Sequence, residues 1–347
     1  MYLSNTVNFR SFVFDTIFVL AIPIIAIATA YVAFYFPQYF DLILLLDLTL
    51  LGYHHVISTY TRIASSKLSI VENRFLVFVL PVIVLAAIVL CAVVGSVWLI
   101  ATIYLHWQWW HYTRQSEGIE KSIRFKTLSK MNGSDKLSRL VFYATPLATF
   151  LFMSSKDHAT FLFMPVKTLP ILPVIANVLL LIAACLFLFW LFLQLKEVKK
   201  QKISRNHFLY LISHHAIYLV AYVLFDDITI GWLAINVWHN AQYILFVWHF
   251  NNKFSDGIDR KHFIISWLSQ KTPSRIFLYF SVCIIATFTF YSLIDVSIKY
   301  LSNYTALPLV VIAYQAVNFH HYVVDSMIWK IRKSSIRRSI GIDGKTE

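Results

Sequence analysis

The sequence predicts an all-α membrane protein, a polytopic bundle of transmembrane helices. Of its 347 residues, 59% are hydrophobic and 17% aromatic, whereas only 14% are charged. A soluble domain is about half apolar and about a quarter charged. The mean hydropathy of +0.66 points the same way. The apolar residues also form runs of about 20, the length that an α-helix needs to cross the hydrocarbon core.

Eight apolar runs predict one span each, and one further stretch is ambiguous. The eight are residues 12–36, 41–60, 139–154, 168–195, 207–225, 230–250, 275–300 and 305–329. The stretch 75–110 is too long for one comfortable helix and barely long enough for two. The first run is a span and not a removable signal peptide, because no small-residue cleavage site follows it.

Loop charges indicate the topology. Basic residues concentrate in loops 111–139, 196–206 and 251–275 and in the C-terminal tail, whereas the loop 226–229 carries two aspartates and no base. The positive-inside rule places the basic loops in the cytoplasm. Loop 61–74 is also basic, so both ends of 75–110 lie inside and this stretch must turn back, near Cys91–Gly95.

We therefore expect about ten spans with both termini cytoplasmic; nine spans with an external N-terminus are the alternative. Residues 1–330 would form a single transmembrane domain and residues 331–347 a basic cytoplasmic tail. The composition fits a bacterial inner membrane. The net charge of +13 is a topology signal, and it does not indicate a nucleic-acid partner. The three cysteines lie inside apolar runs and match no zinc or redox spacing.

Histidines are the candidate functional residues. Nine of the thirteen fall in or at the ends of spans: His54, His55, His106, His111, His214, His215, His239, His320 and His321. On the ten-span topology most of them lie within roughly 8–16 Å of the cytoplasmic face. A neutral imidazole is the commonest protein metal ligand. A bound cation explains why several imidazoles would share one layer of low dielectric constant, so the pattern predicts a metal site.

Polar residues at helical spacing could support these ligands. Metal-bound histidines usually donate their other ring N–H to a carboxylate, carbonyl or water. Residues three or four apart share a helix face. On this basis the candidates are Asp325 and Asn318 near His321, Gln242 near His239, and Gln115 near His111. Adjacent histidines point about 100° apart on a helix, so one of each pair is the expected ligand.

The motifs HHVIST, HWQWWH, SHH and NFHH resemble those of the histidine-box membrane oxygenases, which include the fatty-acid desaturases and hydroxylases. His106 and His111 match the HxxxxH box. The pairs at 214–215 and 320–321 are similar to the end of HxxHH boxes, although Leu211 and Val317 stand where the first histidine would be. The chain is also similar, in span number and in its scattered histidines, to the bacterial membrane β-carotene cleaving dioxygenases.

This resemblance implies one or two non-haem iron ions that activate O₂ beside a lipid or isoprenoid substrate. It implies a membrane-bound oxidoreductase of lipid metabolism, with an electron-donor protein possible at the cytoplasmic face. Two alternatives stay open from the residues. Transmembrane histidines can bind b-type haem or a haem–copper centre, and they can line the path of a transporter.

Overall fold

The computed structural model describes residues 8–64, 66–131, 135–253, 258 and 260–329. Almost all of them lie in helices, which confirms the predicted all-α class. The helices are α1 Phe12–Tyr35, α2 Pro37–Ile63, α3 Lys67–Glu72, α4 Phe75–Lys126, α5 Asp135–Ser154, α6 Pro173–Lys199, α7 Arg205–Leu224, α8 Ile228–Lys253, α9 Phe263–Leu268, α10 Pro273–Leu301 and α11 Leu309–Ile328. One short antiparallel hairpin, β1 Thr160–Phe161 with β2 Met164–Pro165, lies between α5 and α6.

The chain is an integral membrane protein by the length and composition of its helices. In the described part of the chain, seven helices qualify as membrane spans: α1, α2, α4, α5, α6, α7 and α10. The helices α8 and α11 fall outside this group. Each coincides with a predicted span but carries many polar residues.

Helix α8 is buried along almost its whole length. Its buried polar side chains are Asn236, His239, Asn240, Gln242, His249, Asn251 and Asn252. Polar residues of transmembrane helices almost always face the interior of the bundle, so a buried helix can have a lower hydropathy than its neighbours.

The described residues form two compact units. The first contains the described residues up to Ile43 together with His106–Gln242, and the second contains Leu44–Leu105 together with the described residues from Tyr243 onward. The prediction of a single transmembrane domain stays a prediction, and the tail 331–347 lies outside the described residues.

Helix α4 folds back on itself, as the loop charges predict. Within the second unit, the Leu76 carbonyl oxygen bonds His320, and the Tyr104 ring lies 6.4 Å from that of Tyr322. A straight helix from Leu76 to Tyr104 would be about 42 Å long. Both residues meet the same turn of α11, so the chain must reverse between them.

The reversal occurs at Ser96, one residue beyond the predicted turn. Ser96 has φ 61° and ψ −167°, a conformation that side-chain-bearing residues rarely adopt. A Cβ atom at Gly95 would lie 2.7 Å from the Cβ of Leu99, closer than real Cβ contacts allow. The turn therefore requires glycine at position 95.

Replacing Gly95 with alanine should destabilise the protein because the added methyl group collides with Leu99. We expect a loss of about 1–3 kcal/mol, the usual cost of overpacking. Thermal unfolding in detergent measures it. Gly118→Ala is the matched control, since a Cβ atom there meets nothing within 4 Å. Equal melting temperatures for Gly95→Ala and Gly118→Ala would contradict the tight turn.

Candidate metal centre

The three histidine pairs share one arrangement, in which the first histidine bonds a main-chain carbonyl oxygen. The contacts are His54 Nδ1 to Leu50 O at 3.3 Å, His214 Nε2 to Phe142 O at 3.0 Å and His320 Nε2 to Leu76 O at 2.7 Å. A carbonyl oxygen only accepts, so each of these ring nitrogens donates a hydrogen. The Nδ1 atoms of His214 and His320 bond the hydroxyls of Ser116 and Tyr60. Both ring nitrogens of His214 and His320 are therefore occupied.

Pro146 explains why the Phe142 carbonyl needs a donor from another helix. It stands four residues after Phe142 inside α5 and has no N–H, so the regular helical hydrogen bond cannot form. His214 of α7 supplies the missing donor. Its ring also stacks on that of Phe142, with the centroids 3.6 Å apart.

A π-helical turn and a proline leave the Leu76 carbonyl without a donor. The turn begins at Phe75, and the N–H of Leu80 donates to the Phe75 carbonyl, five residues earlier. The same spacing would pair Leu76 with residue 81, which is Pro81 and has no N–H. His320 of α11 donates to the Leu76 carbonyl instead.

The same arrangement occurs near the start of α1. The N–H of Ile22 donates to the carbonyl of Ile17, and the next donor in the series would be Pro23. The carbonyl of Phe18 accepts instead from Gln242 Nε2 at 3.2 Å. An unpaired backbone group in the hydrocarbon costs several kcal/mol. These contacts favour structural roles for His214, His320 and Gln242.

A cluster of potential metal ligands lies in the second unit. His55 and His321 are buried, and their Nε2 atoms are 2.6 Å apart. The Asp325 Oδ2 atom lies 3.6 Å from His321 Nε2. One ligand atom from each of these three residues lies within 4.8 Å of the others. We call His55, His321 and Asp325 the HHD site.

Hydrogen bonds to other side chains hold His321 at its Nδ1 atom and Asp325 at its Oδ1 atom. The Thr59 hydroxyl lies 2.8 Å from His321 Nδ1 and 3.2 Å from Asp325 Oδ1. Tyr243 donates to Asp325 Oδ1 at 2.6 Å and is itself bonded by Trp329 Nε1 at 3.1 Å. When His321 Nδ1 donates to Thr59, the lone pair of His321 is left at Nε2. The Oδ2 atom of Asp325 has no hydrogen-bond partner among the described residues.

Two pairs of residues, each at four-residue spacing on one helix, build this site. His55 and Thr59 stand four apart on α2, and His321 and Asp325 stand four apart on α11, so each pair shares a helix face. The spacing of His321 and Asp325 is the one that predicts the pairing. Thr59 is not among the sequence predictions, because its only signal there is its position four residues after His55.

The remaining predicted ligands make the following contacts within their own units. His54 lies against the Phe280 ring, and Asn318 donates to Gln315. In the first unit, the His111 and His239 rings are 5.1 Å apart. The predicted supporting group Gln115 donates to the main-chain oxygen of His239, 3.4 Å away, and not to a ring nitrogen.

The other two predicted ligands of the first unit, His106 and His215, lie in aromatic surroundings. The His106 ring contacts that of Phe150 at 5.4 Å. His215 is buried beside Phe187 and Trp190. Neither ring nitrogen of His215 has a hydrogen-bond partner in the described part of the chain. That the histidines of this unit are metal ligands stays a prediction.

No protein-family model, curated protein or solved structure matches this chain. The function therefore has to be argued from the site itself, and the resemblance to histidine-box oxygenases stays a prediction.

The role of His214 can be tested with Pro146. His214→Phe keeps the ring stack but leaves the Phe142 carbonyl unpaired, which should cost about 1–3 kcal/mol of stability. In a Pro146→Ala background the new N–H can satisfy that carbonyl, so His214→Phe should cost at least about 1 kcal/mol less. Unfolding of the four proteins in detergent measures this coupling. Additive costs, equal within about 0.5 kcal/mol, would contradict the account.

Proposed function

We propose that this chain is an integral-membrane metal-dependent oxidoreductase whose HHD site binds one iron ion. The observation that carries the proposal is the convergence of two imidazoles and a carboxylate, all buried and with donor atoms within 4.8 Å. The chemistry would be activation of O₂ beside a hydrophobic substrate, a lipid or an isoprenoid.

Burial of Asp325 supports a metal over a purely structural cluster. A buried carboxylate is costly unless a cation or hydrogen bonds compensate it. Oδ1 accepts from Tyr243 and Thr59, whereas Oδ2 faces His321 Nε2 without a hydrogen-bond partner in the described structure. A cation held by Oδ2 and both Nε2 atoms would satisfy it. In this proposal Asp325 is itself a ligand, and not only a supporting residue as the sequence suggests.

The donor set fits ferrous iron. Two histidines and one carboxylate are the ligands of non-haem iron oxygenases, and they leave positions open for O₂ and substrate. A haem ligated by both His55 and His321 would need its porphyrin ring between the two Nε2 atoms. These atoms lie 2.6 Å apart, so the pair does not fit a haem.

The protein groups around the HHD site orient the ligands. Thr59 lies against His321 Nδ1, and when Nδ1 donates to Thr59, Nε2 carries the lone pair that a metal would take. Tyr243 fixes Asp325 and lies against the His55 ring, with centroids 4.2 Å apart. When bound, iron would supply the O₂ chemistry, while the buried surroundings exclude water. Reducing equivalents would come from a donor protein at the cytoplasmic face.

The proposal includes ten spans with both termini in the cytoplasm of a bacterium. The two arms of α4 count as two spans, and α8 and α11 complete the ten. On this topology His55 and His321 lie about eight residues from the cytoplasmic ends of α2 and α11, roughly 12 Å deep.

Metal content of matched variants tests the HHD site. His55→Ala, His321→Ala and Asp325→Asn should each lose most of the bound iron, measured by mass spectrometry of protein purified from iron-replete cells. His54→Ala and His320→Gln are the controls, since each alters the neighbouring histidine of the same pair. They should retain iron even where they lower the melting temperature.

Other results would redirect or end the proposal. If the protein contained zinc in place of iron, the HHD site would stand as a metal site, but the proposed oxidoreductase activity would be contradicted. A Soret band in the optical spectrum would favour haem. Equal iron content in His55→Ala and His54→Ala would contradict iron binding at the HHD site. A complete lack of metal would favour a transporter.

The topology predicts the side from which Ser96 can be labelled. In a variant without Cys91, Cys185 and Cys283, Ser96→Cys should react with a membrane-impermeant thiol reagent added outside intact cells. Lys200→Cys should react only after the cells are opened. The reverse result for either position would exclude the ten-span arrangement.

A further inference from the structure

We infer that the first unit contains a binding site for the phosphate headgroup of an anionic membrane lipid, between α4 and α5. The site consists of Arg114, Lys121 and Arg139, held by the buried carboxylate of Glu117, and we call it the Glu117 cluster. It is independent of the HHD site and of the proposed oxidoreductase activity.

Three cations share one carboxylate in the Glu117 cluster. The Glu117 oxygens lie 2.6 Å from Arg114, 2.7 Å from Lys121 and 3.3 Å from Arg139. The Glu117 side chain is only 6% exposed, whereas those of Arg114, Lys121 and Arg139 are 48%, 41% and 64% exposed. The carboxylate is therefore covered, and the cluster presents a net charge of about +2 to its surroundings.

The fold holds these cations in fixed positions. Arg114, Glu117 and Lys121 follow one another at three- and four-residue spacing along one face of α4. Tyr143 of α5 donates to Glu117 at 2.6 Å and accepts from Arg114 at 3.1 Å. The Arg114 guanidinium is thereby ordered before any ligand arrives, which lowers the entropic cost of binding a phosphate.

The neighbourhood of the cluster is apolar and exposed, which favours a lipid over a soluble anion. Trp110 lies one helical turn before Arg114, is 46% exposed and packs against Tyr143 at 5.4 Å. Leu140, next to Arg139, is 55% exposed, and Leu147 is 39% exposed. A headgroup at the cations would place acyl chains along these side chains. Basic pockets between transmembrane helices at the cytoplasmic side are typical headgroup sites.

A second cluster in the same unit offers a control. The buried carboxylate of Glu197 bonds Lys200 and Lys202, each at 3.2 Å, so it also combines exposed cations with a covered acid. It consists of lysines, which act as point charges, whereas arginines bind phosphate oxygens in a bidentate manner. The two clusters permit variants with equal changes in net charge.

Lipid binding to the full chain in detergent tests the inference. Native mass spectrometry would titrate phosphatidylglycerol against the wild type, the double variant Arg114→Gln/Arg139→Gln, and the control Lys200→Gln/Lys202→Gln. We expect the dissociation constant to rise about 10- to 30-fold in the arginine variant, given roughly one order of magnitude or less for each cation. The lysine variant should bind within about threefold of the wild type.

Further titrations distinguish a lipid headgroup from free phosphate as the ligand. Phosphatidylcholine should bind weakly to all three proteins, and inorganic phosphate at millimolar concentration should not displace phosphatidylglycerol. Displacement by inorganic phosphate would overturn the lipid assignment. Equal losses in the arginine and lysine variants, or no loss in either, would overturn the site. The variant Arg114→Lys/Arg139→Lys controls for misfolding, because it keeps both positive charges. It should lose an intermediate amount of affinity for phosphatidylglycerol. Iron content, measured in parallel, should be unchanged.

Discussion

The hydrocarbon core provides no water to satisfy a backbone group, and this constraint explains much of the polar chemistry in the chain. Three prolines lie inside apolar helices, at positions 23, 81 and 146. Each removes a backbone donor, and in each case a side chain from another helix bonds the carbonyl that is left. The donors are Gln242, His320 and His214. A bent or π-helical membrane helix is thus tolerated because a neighbouring helix completes its hydrogen bonding.

This constraint also separates the members of the histidine pairs. The first histidine of each pair bonds a carbonyl and is used by the backbone. In two of the three pairs the second histidine, His55 or His321, belongs to the HHD site. Adjacent residues point about 100° apart, so one pair can serve the backbone with one ring and a metal with the other. The proximity of His55 and His321 is therefore a consequence of how α2 and α11 are held in the second unit.

Much of this fold could be predicted from the sequence, because apolar length and loop charge are strong local signals. The predicted spans coincide with the helices, and the reversal in α4 lies one residue past the predicted turn. Which histidines bond a backbone carbonyl and which belong to the HHD site could not be predicted. Pro146 indicates that the Phe142 carbonyl lacks a donor, but only the packing of α7 shows that His214 supplies it. Likewise, the spacing of His321 and Asp325 predicts their shared face, whereas the approach of His55 depends on tertiary contacts.

The central claim is that the HHD site holds a metal and is not merely a hydrogen-bonded cluster. A crystal of the iron-loaded protein, measured on both sides of the iron absorption edge, tests it most directly. The account predicts an anomalous peak about 2.0–2.2 Å from the Nε2 atoms of His55 and His321 and from a carboxylate oxygen of Asp325. An iron peak elsewhere, with His55 and His321 still in direct hydrogen-bond contact, would contradict it.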